Sequence, residues 1–394
     1  MGVGRFVYTP ILPLMHAQAG LSAAAGANLA TANYVGYLIG ALAGTFLPRL
    51  GRSAAVLRGS LLALVASLAA MPLTHSTTVW LLLRLGAGVF SALIFVIAVS
   101  SLLSHLREHP AHLSGWAFGG VGAGIALSGL LVLVLRTVGT WQAAWWASAA
   151  LATALTLGAW GLRPEPAPQP ASSTSGTHIR TSAPRTHRWF GTLFASYTLE
   201  GIGYIIAGTF LVAAIEQTSP GWIGSGAWVL VGLAAVPSSA LWAWLGRRWS
   251  RPDLLLAALG VQAVGIALPA LVGGVAAALI SAVLFGSTFI GVSTLALAAG
   301  AHLRFPRAVA LLTAGYSVGQ ILGPLVATPL LHHGYHQALI LASVVVLAAA
   351  LGALVLRIGF PHHMPTPGHP VRRSEPATGS PLTSLDAAEA QAAE

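Results

Sequence analysis

Gly201-Ile202-Gly203-Tyr204-Ile205 restates Gly2-Val3-Gly4-Arg5-Phe6 at a distance of 199 residues, and the architecture follows from that echo. Farther along, His105-Leu106-Arg107 returns as His302-Leu303-Arg304, offset 197. Gly115-Trp116 with Gly119 returns as Gly315-Tyr316 with Gly319, offset 200. Three landmarks in one order at nearly constant spacing mark a duplicated half, and a repeat of this kind constrains the fold before any local pattern does. The copies differ in one respect that bears on function: Arg5 lies in the first, and Glu200 lies at the matching depth of the second.

The repeated unit is built for lipid. The 394 residues are 56% apolar and 7% charged, against roughly 25% charged in an ordinary soluble domain. Twelve hydrophobic segments run over residues 2–18, 26–47, 55–73, 77–103, 114–135, 142–162, 190–213, 222–244, 253–272, 275–300, 307–330 and 336–358. Each of the last eleven is expected to cross, as a helix, a hydrocarbon core of about 30 Å. Ala, Leu and Gly dominate these segments, and a lone apolar strand would leave its backbone unsatisfied in lipid, so the expected fold is an all-α membrane protein. The division expected is a six-helix bundle over 1–162, a linker over 163–189, a second six-helix bundle over 190–358 and a tail over 359–394. Linker and tail, rich in Pro, Ser, Thr and Arg, lack the apolar residues needed for a core and are read as disordered. The absence of cysteine excludes disulfides and thiolate metal sites.

Segment one begins almost at Met1 with no polar flank, and 17 residues of helix reach only about 25 Å. It does not fit a signal peptide, which carries a positive n-region. The expectation is a start that lies too far downstream, removing the cytoplasmic half of the first helix.

The net charge of +10 comes from arginine alone, since no lysine occurs. With linker and tail placed in the cytoplasm, Arg49, Arg52, Arg58, Arg107, Arg163, Arg180, Arg185, Arg188, Arg247, Arg248, Arg251, Arg304, Arg307, Arg357, Arg372 and Arg373 fall inside. Only Arg136 falls outside, and Arg5 and Arg84 lie within helices. That asymmetry is the positive-inside pattern. It accounts for the charge as topology and leaves nucleic acid without a role as partner. The surroundings expected are the lipid bilayer of a bacterial inner membrane, crossed many times by a chain that works as a monomer. Trp141 and Trp222 are expected at the outer interface, and Trp244 and Trp249 near the inner one, as membrane anchors.

Twelve helices in two similar halves joined by a cytoplasmic linker resemble the major facilitator superfamily (MFS), in which two parallel repeats handle substrate near the bilayer midplane. Gly44-Thr-Phe-Leu-Pro48-Arg49-Leu-Gly51-Arg52 resembles the superfamily's loop signature between helices two and three, with Pro48 standing where that signature has an acidic residue. Arg84-Leu-Gly-Ala-Gly88 resembles the Arg-containing motif of helix four. The opening Gly2-Val-Gly-Arg5-Phe-Val-Tyr8-Thr9-Pro10-Ile-Leu-Pro13-Leu-Met15, with Asn33-Tyr34-Val-Gly36-Tyr37, is similar to the YbfB/YjiJ family of uncharacterised bacterial MFS-type transporters over most of residues 1–360. The resemblance implies a secondary transporter working by alternating access and names no substrate. It also implies a longer first helix than this chain has, and a role for Gly44, Arg49, Gly51 and Arg52 in conformational change.

Three formal charges lie well inside the membrane: Arg5, Arg84 and Glu200. Each costs about 2.5–3.5 kcal/mol near a helix centre on insertion scales, so each needs a cavity or a partner. The resemblance brings the first and seventh helices together along the central pathway, where Arg5 and Glu200 are expected to approach each other. Glu200 then exchanges a proton or meets a cationic group, while Arg5 holds an anionic group or releases Glu200. The alternative is a permanent bridge that locks the halves, which is an expensive form of glue in a membrane. For Arg84, snorkelling, a helix dipole and the outer cavity wall all stay open. Tyr8, Asn33, Tyr34, Tyr37, Tyr197, Tyr204 and Gln320 are candidates for the substrate cavity, and each alone also suits a bond to a neighbouring helix. Few fixed charges among aromatic walls suit a modest organic solute better than a sugar phosphate. Gly115, Gly119, Gly120 and Gly124 are read as helix-packing positions. His332, His333 and His336 have no carboxylate or thiol beside them and are not read as a metal site. With no Walker loop and no catalytic constellation, neither an ATP-driven pump nor an enzyme is expected, and no cofactor is called for. Protons and a small-molecule substrate are the expected partners, with an uncoupled facilitator as the alternative.

Overall fold

The computed structural model describes residues 1–105, 111–135, 139–162, 186–219 and 221–361. Most of the expected linker, and the tail beyond Pro361, lie outside the described residues. Apart from two short 3-10 turns, every regular element described is an α-helix. They are α1 (Gly2–Phe6), α2 (Tyr8–Ala19), α3 (Ala23–Phe46), α4 (Pro48–Gly51), α5 (Ala54–Ala70), α6 (Thr77–His105) and α7 (Ala111–Leu135). There follow α8 (Trp141–Ala159), α9 (His187–Thr218), α10 (Ile223–Leu245), α11 (Arg251–Leu271), α12 (Gly274–His302), α13 (Ala308–Ala327) and α14 (Tyr335–Leu356). Segment one is two helices rather than one, broken at Val7. Pro10 and Pro13 follow closely, and each lacks the N–H that would close a helical turn on the residue four before it. The first segment is therefore interrupted in its hydrogen bonding, while Val7 keeps helical dihedrals.

Nine helical stretches among the described residues are long and apolar enough to cross a membrane. Of the eleven segments expected to cross, α3 and α8 are long enough but more polar than these nine. Their 24 and 19 residues extend about 36 Å and about 28 Å. Asn28, Asn33, Tyr34 and Tyr37 lower the apolarity of α3, and Gln142 with three tryptophans lowers that of α8. Asn33 and Tyr34 are buried within the protein, so in α3 much of this polarity never meets lipid.

Packing follows the duplication. In the first half α3 packs on α6, α5 on α6 and on α8, and α1 on α7. In the second half α10 packs on α12, α11 on α12 and on α14, and α9 on α13. Each of these second-half pairs is the repeat of a first-half pair. Across the halves α7 meets α10 and α3 meets α13, again as repeat partners. Caps repeat too: Ser53 accepts from the Val56 N–H at the start of α5, and Ser250, 197 residues on, accepts from the Asp253 N–H at the start of α11. Each serine oxygen satisfies a backbone donor that the first helical turn leaves unpaired. Asp253 also pairs with Arg357 at 2.5 Å, which ties the start of α11 to the end of α14.

Two family motifs clasp each other. A methyl group on Gly36 would overlap the Leu85 carbonyl, and one on Gly88 would overlap the Asn33 carbonyl. Bare glycine lets α3 and α6 approach backbone to backbone, the small-residue packing that membranes favour. Of the glycines expected to pack α7, Gly119 lies against Val236 of α10 and Gly124 against Gly2 of α1. Gly120 is corrected, since nothing lies near its missing side chain, and Gly115 falls outside the side-chain description. Trp141 is corrected as well. It is 2% exposed, edge-on to His75 at 5.4 Å and to Trp80 at 5.6 Å, because its ring fills the end of the first half rather than the interface. Trp222, Trp244 and Trp249 are exposed.

Candidate functional site

The interrupted first segment delivers Arg5 to the centre of the molecule. Arg5 is 6% exposed, and its guanidinium lies 4.1 Å from the Tyr37 ring, 5.2 Å from Phe6 and 5.4 Å from Tyr34. Its Nη2 donates to Gln320 Oε1 of α13, on the other half of the chain, and its Nε has no partner. Arg84 holds the first segment in place. Fully enclosed at 2% exposure, it points Nη1 at the Gly4 carbonyl (3.5 Å) and Nη2 at the Arg5 carbonyl (3.4 Å), with Tyr8 4.8 Å beneath it. Of the three readings left open for Arg84, snorkelling fails on this burial. The group lies instead against the backbone carbonyls at the end of α1, where a cation suits the helix dipole.

Glu200 sits on α9 with no exposure at all. Its Oε1 accepts from Gln262 Nε2 of α11 at 3.2 Å, while Glu200 Oε2 and Gln262 Oε1 are both without partners. Arg5 and Glu200 form no ion pair in this structure. Near both lies a layer of rings. Tyr197 stacks on Tyr316 with centroids 4.5 Å apart and planes 14° apart, and Tyr316 lies 5.8 Å from Tyr204 at 16°. Tyr204 continues onto Phe289 at 5.3 Å and 14°. Tyr204 is within electrostatic reach of both Arg5 and Glu200. A buried cation and a buried carboxyl thus both lie near this layer.

Next to this layer the halves are pinned together. Thr9 Oγ1 donates to the Gly208 carbonyl at 2.7 Å, and the Tyr34 hydroxyl meets Thr209 Oγ1 at 3.0 Å. From Gly203 to Ile215 every residue of α9 is buried, whereas its earlier turns include exposed and half-buried positions. The molecule is shut around the second half of α9.

Other candidates are placed more simply. The Tyr8 hydroxyl donates to the Gly26 carbonyl at 2.9 Å, and Asn33 Nδ2 donates to the Arg84 carbonyl at 2.9 Å. Both tie helices of the first half together. In the loop motif, Pro48 opens α4, and the bare Gly51 admits the Gly44 carbonyl, which tightens the turn. Arg49 and Arg52 are exposed there.

Buried charges beside an aromatic layer, between halves that repeat each other, are the anatomy of a solute pathway rather than of a catalytic centre. The family profile of the uncharacterised MFS-type transporter YbfB matches residues 1–355. The chain belongs to this MFS transporter family. No curated protein sequence matches it. Among solved structures, a mutant of the nucleoside transporter NupG is similar over 90% of this chain and 98% of its own, with a TM-score of 0.67 and 13% identity. At that identity the likeness carries the fold alone: an all-helical, multi-pass membrane protein of the MFS type.

Two residues of the site were not among the candidates read from the sequence. Gln262 is a lone amide in an apolar segment, and only the contact with Glu200 distinguishes it. Tyr316 stood in plain view as a repeat landmark, paired with Trp116, and its aromatic character at that position was the signal for the ring layer.

Proposed function

We propose that this MFS transporter is a secondary transporter that moves a small organic solute by alternating access, with proton exchange at Glu200 as its coupling step. The observation that carries this is the Glu200–Gln262 contact. Two buried acceptor oxygens, Glu200 Oε2 and Gln262 Oε1, face the interior without donors. A proton on Glu200 converts one acceptor into a donor and removes a buried negative charge. Losing that proton requires access to water on one side, and the packing that encloses Glu200 must move to grant it. Arg5 receives the solute's anionic group, and the bonds at Thr9, Tyr34 and Gln320 hold one end shut until the halves rock. In this reading residues 1–162 and 190–358 are the two moving bundles, and residues 163–189 and the tail lie in the cytoplasm of a bacterial cell whose inner membrane holds the protein.

The test is accumulation in proteoliposomes with an acidified exterior, screened over radiolabelled organic solutes. Wild type is expected to concentrate its solute, and Glu200→Gln to lose concentration while keeping exchange at equilibrium. A Glu200→Gln protein that still concentrates solute removes Glu200 from coupling. A wild type that equilibrates solute without concentrating it is a facilitator.

A further inference from the structure

We propose that the Arg5 site takes the carboxylate of a planar aromatic acid, whose ring lies along the tyrosine layer. The proposal rests on the reading of this layer as the solute pathway and names the class of solute. Nε and Nη2 of an arginine form one edge of the guanidinium, the fork that takes both oxygens of a carboxylate side by side. In this structure Gln320 Oε1 occupies the Nη2 prong, and the Nε prong is empty although buried. A single amide oxygen therefore stands where a carboxylate would supply two.

No described carboxylate lies within ion-pair distance of Arg5. A buried cation without an anion is strongly unfavourable, so the arrangement favours an anionic ligand over a cationic or neutral one. The rings of Tyr37, Phe6 and Tyr34 lie 4.1, 5.2 and 5.4 Å from the guanidinium carbon, and the buried Nε is left for the ligand. One free cation suits one negative charge, since Arg84 is turned toward backbone carbonyls.

The ring requirement follows from Tyr197, Tyr316, Tyr204 and Phe289, whose planes lie within 16° of one another along the stack. Tyr37 and Tyr316 are half-buried while Tyr34, Tyr197 and Tyr204 are closed off, so Tyr37 and Tyr316 are the rings here that keep some uncovered surface for a solute. A flat π surface beside a carboxylate fork is satisfied best by a ligand that is itself flat and aromatic.

Equilibrium binding of radiolabelled benzoate to the full chain in nanodiscs, without a pH gradient, tests this. Saturable benzoate binding is expected. Cyclohexanecarboxylate, with the charge but not the ring, should compete about tenfold more weakly. Benzyl alcohol, with the ring but not the charge, should compete about a hundredfold more weakly. Arg5→Gln should lose about a hundredfold, whereas Gln320→Ala, which frees the fork, should bind benzoate at least as tightly as wild type. The comparison of competitors on wild type does not depend on any variant folding. Absence of saturable benzoate binding to monodisperse wild type overturns the proposal, and equal competition by cyclohexanecarboxylate overturns its aromatic part. Since no gradient is present, the coupling reading stands or falls separately. A chain that binds benzoate without concentrating any solute sinks only the coupling, and one that concentrates another solute through Glu200 while ignoring benzoate sinks only this assignment.

Discussion

Arg84 shows how a buried charge acquires a structural task. Its bonds to the Gly4 and Arg5 carbonyls, at 3.5 and 3.4 Å, are longer than strong hydrogen bonds, and it rests on the Tyr8 ring. The same group that steadies the backbone of Arg5 thereby sets where the Arg5 side chain begins. Lysine keeps the charge but not the fork or the planar face, so Arg84→Lys is expected to cost about 1–2 kcal/mol, from one lost charged bond and a weaker ring contact. Arg84→Met, which abandons both carbonyls, should destabilise further. Thermal melting of the detergent-purified variants is the check, and an unchanged midpoint in Arg84→Met would show that the first segment holds itself. At this scale the sequence made the three intramembrane charges conspicuous, because each is costly in lipid. It hid Gln262, because nothing in the local pattern of an apolar helix marks one amide as a partner.

Helix pairs are held by what glycine leaves out. The glycines of Asn33-Tyr34-Val-Gly36-Tyr37 and Arg84-Leu-Gly-Ala-Gly88 face each other's backbones, so one motif explains the other. Gly36→Ala is expected to force α3 from α6 and to cost roughly 1–3 kcal/mol or more, as overpacking does. Gly120→Ala is the contrasting case, since nothing lies within 4 Å of the added carbon. There alanine's better helix propensity should leave stability equal or raise it by up to about 1 kcal/mol. Folded yield and melting midpoint separate the two, and similar gains at both sites would mean that helix propensity, not contact, governs these glycines. The element boundaries were legible because apolar runs end where lipid ends. The break at Val7 and the polarity of α3 were not, since each depends on what the neighbouring helices supply.

The duplication, legible from Gly2 and Gly201 onward, gives the whole molecule an axis, and one hydrogen bond lies on it. Thr9 Oγ1 donates to the carbonyl of Gly208, the residue 199 positions on and hence its own repeat partner. A bond between repeat mates forms where the two halves cross, so the halves cannot separate at that end without breaking it. Tyr34 with Thr209 breaks at the same step. Thr9→Val keeps the side chain's shape and removes the donor, which should weaken the closed arrangement by about 1 kcal/mol, or roughly fivefold in population. The chain contains no cysteine, so a single introduced one reports opening cleanly. Ala213 is 4% exposed within the fully buried stretch of α9, and Ala213→Cys places a thiol where only an opened molecule admits reagent. Thiol labelling of Ala213→Cys should run about fivefold faster when Thr9→Val is added. Equal rates would assign closure to the apolar packing around α9 instead of to the bond on the axis.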